Sequence, residues 1–179
     1  MAFGAPVSAE WRPAGVRAHT AAGGAMGDES CEFPLSNASD DEIDGILATA
    51  RTIAVVGLSD KPERDSYRVA AYLQAHGYTI VPVNPAVPEI LGQKCYQDVT
   101  SIPREVVIDV VDIFRRPEFI PAIVDQAIAR GARTVWMQLG LAHNAAADRA
   151  RAAGLAVVMD RCLKIEHARW LAAGGTPRR

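Results

Sequence analysis

Cysteine, histidine and aromatic residues are scarce in this chain of 179 residues. Cys31, Cys95 and Cys162 are odd in number and widely spaced, which speaks against both a disulfide framework and a zinc pattern. His19, His76, His143 and His167 form no metal-ligand spacing either. No apolar run is long enough to span a bilayer. The amino terminus lacks the apolar core of a secretory signal, so the cytoplasm is the expected compartment. An excess of positive charge is also missing. Nineteen Lys and Arg against 21 Asp and Glu leave a net charge of −2, with no global attraction to nucleic acid or to an anionic membrane. Neither a Ser-His-Asp arrangement nor paired catalytic carboxylates can be picked out.

Two nucleotide signatures are absent as well. G-x-G-x-x-G would need glycines after Gly57, where Ser59 and Pro62 stand, and no G-K-[ST] follows to make a P-loop. What stands there instead is residues 52–68, TIAVVGLSDKPERDSYR, and the rest of the chain is organised around it. Thr52-Ile53-Ala54-Val55-Val56 fits a strand buried on both faces. Gly57 allows a sharp turn without a Cβ clash. A polar loop runs to Asp65, and a helical pattern follows with Val69, Ala70 and Leu73 on one side. Strand, glycine turn, loop and helix make the first half of a βαβ unit. The start of that helix offers unpaired N–H groups and partial positive charge, a natural place for a phosphate.

The length fits one domain with a sizeable core. Residues 1–37, rich in Ala, Gly and Pro and without periodicity, read as a disordered extension; residues 38–174 are the domain, and 175–179 a disordered tail. Ser39-Asp40-Asp41-Glu42 is a capping box that opens a short helix. Further strands are expected at 79–83, 106–111, 134–137 and 156–159, with helices at 66–76, 117–130, 144–153 and from Cys162 onward. Alternation of this kind predicts an α/β, Rossmann-like, doubly wound parallel sheet of five strands. The expected order is 3-2-1-4-5, with the switch point between strands one and four. Asp109, inside the third run, reads as a structural hydrogen-bonding residue.

The strand exits then share one crevice. They carry Gly57-Leu58-Ser59, Asn84-Pro85, Phe114-Arg115-Arg116-Pro117, Gln138-Leu139-Gly140 and Asp160-Arg161-Cys162. Lys61, Arg64, Arg68, Arg115 and Arg116 gather cations at its rim, suited to a polyanionic small molecule. NAD would call for an acidic residue after strand two, where Asn84-Pro85 stands. That leaves room for a ligand with a phosphorylated ribose, as in coenzyme A.

The segments VVGLSDKPERDSYRVAAYL, VPVNP, LGQKCY, VVDIFRRPE, VWMQLG and VMDRCLKIEHAR resemble the small bacterial CoA-binding domain proteins of the YccU type. They also resemble the CoA-binding domain of the succinyl-CoA synthetase α subunit. The resemblance covers about residues 39–172 and implies a Rossmann-like fold with coenzyme A, or an acyl-CoA, in the crevice. It implies that Gly57, Leu58 and Ser59 approach the phosphates, that Arg64, Ser66, Tyr67 and Arg68 line the loop and helix start, and that Val83, Asn84 and Pro85 meet the adenosine end. Phe114, Arg115 and Arg116 would lie over the ligand, and Gln138 and Gly140 near the pantetheine. Ala86 stands where the synthetases have a lysine, so Arg64 or Arg115 is expected to replace that contact. The expected function is a stand-alone, non-catalytic CoA-binding domain with no nucleic-acid or membrane partner. The alternatives are a CoA-dependent enzyme using Cys162 or His143, and an NAD-binding or partner-binding Rossmann protein that has lost its ligand.

Overall fold

The computed structural model describes residues 32–176. The expectations for residues 1–31 and 177–179 lie outside the described residues. Helix α1, Asp40–Thr49, opens on the expected capping box: the Ser39 N–H donates to Glu42 Oε2 at 2.8 Å and the Glu42 N–H to Ser39 Oγ at 3.3 Å. It is followed by β1 (Thr52–Val56), α2 (Asp65–Ala75), β2 (Thr79–Val83) and a two-residue pair of strands, β3 (Glu89–Ile90) and β4 (Gln93–Lys94). Then come β5 (Val110–Ile113), a 3-10 turn at Pro117–Phe119, α3 (Ile120–Arg130), β6 (Thr134–Met137), α4 (Asn144–Ala152), β7 (Ala156–Val158) and α5 (Leu163–Ala172).

Five strands form one parallel sheet in the order β2-β1-β5-β6-β7. Side chains alternate across it. Ala54, Val56, Val111, Ile113, Val135, Met137 and Val157 pack on the side that buries Ile120, Val124, Ala146 and Ala150 of α3 and α4. Ile53, Val55, Val110, Trp136 and Val158 pack on the other side with Ile43, Leu47, Val69, Leu73 and Trp170 of α1, α2 and α5. Helices on both faces explain why β1 reads as an apolar run and why β5 is buried throughout, Asp112 included.

The expected 3-2-1-4-5 pattern is present, with β7 following as a sixth position, once the segment at Tyr96 is counted as the third strand. Tyr96 forms a parallel bridge with Val83; its N–H donates to the Pro82 carbonyl, and its carbonyl accepts from the Asn84 N–H, both at 2.9 Å. The assignment of one run is corrected. The run at 106–111 was expected beyond β2, whereas its strand, β5, lies inside the sheet between β1 and β6. All four of its residues are buried, which suits an inner strand, and Tyr96 already fills the place beside β2. The switch point therefore falls between β1 and β5, not between β1 and β6.

Just before β5, the Asp109 N–H donates to the Thr52 carbonyl at 3.0 Å, and the side chain of Asp109 is engaged as well. Its Oδ2 accepts from the backbone N–H groups of Arg51 and Thr52 at 2.8 and 3.0 Å, and its Oδ1 meets Arg133 at 3.0 Å. This is the structural role expected of it. A second correction concerns residues 32–37, which are bonded to the domain. The Asn144 N–H donates to Glu32 Oε2, Arg151 Nη2 to the Ser36 carbonyl at 2.8 Å, and Asn37 brackets Met159 through both its amide atoms. Gly175, placed in the expected tail, lies against the Trp170 ring, and its N–H donates to the Trp170 carbonyl.

Candidate ligand-binding crevice

The exit of β1 is tied to both neighbouring strands. The Gly57 N–H donates to Val83 O at 3.0 Å, and the Phe114 N–H to Val56 O at 2.9 Å. Gly57 has φ +84°, and a Cβ there would stand 2.8 Å from Arg115 Cδ and 3.0 Å from the Phe114 carbonyl. The position calls for glycine on both counts. Leu58 is fully buried and draws the loop onto the core. Its carbonyl accepts from Asn84 Nδ2 at 2.8 Å, and the Ser59 N–H donates to Ser66 Oγ at 3.0 Å. Asn84 Oδ1 in turn accepts from the Ala86 N–H. Thus Asn84 and Ser66 hold the loop shape, both with side chains already engaged.

Arg64, the residue that caps the start of α2, is extended, and its side chain makes no capping bond. The N–H groups of the first turn of α2 are therefore left for another acceptor. They face a cavity of about 460 Å³ lined by Gly57, Leu58, Ser59, Glu63, Arg64, Asp65, Ser66, Asn84, Phe114 and Arg115, so two carboxylates share this wall with the two arginines. A larger cavity of about 690 Å³ adjoins it across Asp65, Phe114 and Arg115. Arg68, Arg116 and Gln138 line this one, with Val69, Leu139, Leu141, Cys162, Lys164 and Ile165. A small one of about 190 Å³ lies on the other side of Gly57 and Arg115, between Val83, Pro85, Phe119, Ile123 and Gln126. The two larger volumes fall within the roughly 300–1,000 Å³ usual for small-molecule sites. A further cavity of about 460 Å³ beside α1 and Asp109, at the amino ends of the strands, contains none of the expected residues.

The structure thus brings together all the expected site residues except two. Tyr67 packs into the core on the α2 side. Gly140 lines none of these cavities; φ is +79°, and its N–H donates to Asp160 Oδ1 at 2.6 Å. Sequence reasoning left out Lys164, which reaches the larger cavity because α5 starts at its rim, and Phe119, whose ring lies 4.7 Å beneath the Arg115 guanidinium. Both sit one turn beyond a strand exit, and only the packing of the helices turns them inward.

Positive charge prevails along the crevice. Arg64, Arg115 and Lys164 have no carboxylate within ion-pair distance among the described residues. Arg68 faces Asp65 at 3.9 Å and Arg116 faces Glu118 at 3.5 Å, both loose pairs at the surface. Beneath the wall, buried Asp112 accepts a bond from Gln138, and burial pushes its carboxyl up to about 7. His143 is an N-cap: its Nδ1 accepts from the Ala146 N–H at 3.3 Å. None of the described histidines lines the crevice. No group of three or more His, Cys, Asp or Glu that could hold a metal ion occurs among the described residues.

A doubly wound parallel sheet with a glycine turn, an uncapped helix start and a cationic crevice at its carboxyl ends defines a Rossmann-like α/β protein. The chain belongs to the CoA binding domain family, whose model matches residues 51–168. It is 40% identical over 134 residues to the uncharacterized protein YneT of Bacillus subtilis strain 168, a match covering 75% of this chain and 98% of YneT. A hypothetical protein from Pyrococcus horikoshii OT3 superposes with a TM-score of 0.73 and 44% identity, covering 78% of this chain and 97% of that one. The structure of cell-free ID.343 from Thermus thermophilus has a TM-score of 0.70 at 32% identity, covering 74% and 99%.

Proposed function

We propose that this protein binds coenzyme A or an acyl-CoA in the crevice between β1 and β5, as a stand-alone module without catalysis of its own. The observation that carries the reading is the uncapped start of α2, facing the Gly57 turn, with Arg64 and Arg115 beside it and no carboxylate paired to either among the described residues. N–H groups at a helix start and arginine forks are a donor set for a diphosphate. The adjoining larger cavity, walled by Val69, Phe114, Leu139, Leu141 and Ile165, suits a long, sparsely charged arm such as pantetheine. Against NAD stands the end of β2. The side chain of Asn84 is spent on Leu58 and Ala86, and no acidic residue follows to take a ribose diol. Cys162, on the wall of the larger cavity, keeps a CoA-dependent enzyme as the second reading.

Coenzyme A at one hundred times its dissociation constant should add about 2.7 kcal/mol of stability. For a chain of this length that is a rise of roughly 5–10 °C in melting temperature. NAD should give a much smaller shift, and a larger one would overturn the choice of ligand. The same preparation, supplied with ATP or GTP and with acetate or succinate, should release no CoA-dependent phosphate. Turnover proportional to protein concentration would move the assignment to catalysis.

A further inference from the structure

The buried side-chain atoms without a partner among the described residues are Asp112 Oδ2, Arg130 Nε and His167 Nε2. The first is one hydrogen bond from the crevice. Asp112 lies on β5, fully buried, in register with Val55 of β1 and Trp136 of β6. Its Oδ1 accepts from Gln138 Nε2 at 2.8 Å. Gln138 is itself nearly buried and forms part of the wall of the larger cavity. Above about pH 7, where this carboxyl is ionised, it has no proton to donate, so only the NH₂ end of the amide can face it. The other end, Gln138 Oε1, is thereby turned away from Asp112. No donor reaches it among the described residues, and it is not one of the sealed, unpartnered atoms, so it opens on the cavity.

We propose that Asp112 is a positioning residue: by holding the NH₂ end of Gln138 it makes that point of the wall a hydrogen-bond acceptor, matched to an amide N–H of the pantetheine arm. The inference rests on the reading of the crevice as a CoA site. It accounts for a carboxylate placed where burying charge is costly and where one of its oxygens finds no donor. Asparagine has the same shape but the opposite consequence. An unpartnered N–H in the place of Oδ2 is costlier than an unpartnered oxygen, so the Asn NH₂ would turn toward Gln138. The Gln138 amide would then reverse and present N–H groups, not a carbonyl, to the cavity.

The test compares wild type, Asp112→Asn, Gln138→Met and the double variant by calorimetry at pH 8. The probes are CoA and adenosine 3′,5′-bisphosphate, which carries the nucleotide end without the arm. Asp112→Asn should weaken CoA about three- to tenfold, the value of one neutral hydrogen bond. It should leave the bisphosphate unchanged and the melting temperature equal or higher, since a buried charge is removed. Gln138→Met should show the same loss, and the double variant no more than that loss, because one residue acts through the other. Unchanged CoA affinity in Asp112→Asn, equal losses for both probes, or losses that add in the double variant would each overturn the inference. A wild type that binds the bisphosphate but not CoA also overturns it, whereas one that binds neither sinks the proposed function first and this inference with it.

Discussion

Arg115 borders all three parts of the crevice. Its stem covers Gly57, its guanidinium lies over Phe119, and no carboxylate neutralises it among the described residues. Arg116, next to it, is exposed and shares its charge with Glu118. Adjacent arginines of the same sequence signal therefore differ in what they can give a phosphate. Replacing both by Ala should weaken CoA binding by about 1.5–3 kcal/mol for each charge-assisted bond lost, with the larger share from Arg115. Stability should change by no more than about 0.5 kcal/mol, since both lie on a surface loop. Calorimetry on the single and double variants measures this, and affinity unchanged in the double variant would take both residues out of the site. The pair was legible in the sequence as a cationic strand exit. The inequality between them was not, because it comes from what Phe119 and Glu118 do in the fold.

Among the elements, those with local signals were readable and those closed by distant partners were not. The capping box of α1 involves residues three apart, and the sequence showed it complete. The Gly57 turn follows directly from an apolar run meeting a glycine. Asn37 carries no comparable signal. Its Nδ2 donates to the Met159 carbonyl at 2.7 Å and its Oδ1 accepts from the Met159 N–H at 2.9 Å, across 122 positions of sequence. It acts as a two-bond continuation at the end of β7. Asn37→Ala leaves both Met159 groups without that partner and should cost about 1–3 kcal/mol, several degrees in a thermal melt. CoA affinity should be unaffected, since Asn37 lies at none of the three crevice cavities. A melting temperature equal to wild type would mean that this junction contributes nothing.

For the whole molecule, two buried titratable groups set opposing slopes of stability against pH. His167 is fully buried among Tyr72, Tyr78 and Trp170, and burial holds its imidazole down to about 4. The unfolded chain takes up that proton below about 6.5, so the contribution of His167 is complete above 6.5 and is lost as pH falls toward 4. Asp112 has the opposite sign. Its carboxyl, raised to about 7, keeps its proton in the folded state where the unfolded chain has released it, so stability falls as pH rises from about 4 to 7. A full proton of difference is worth about 1.4 kcal/mol per pH unit, and between pH 4 and 6.5 the two slopes offset one another. In Asp112→Asn only the histidine slope remains of the two. Its melting temperature should therefore climb more steeply than wild type from pH 4 to 6.5. Parallel profiles for the two proteins would show that Asp112 does not titrate in that window. Composition, the apolar runs, the glycine turn and the capping box determined by themselves that this is an α/β chain with a cationic crevice after β1, because period and turn chemistry act over a few residues. Which strand lies beside β1, which helix starts reach the cavity, and that Asp112 meets Gln138 were decided only by the tertiary structure. Those facts depend on how two faces of one sheet are covered at once, a condition that no local stretch of sequence contains.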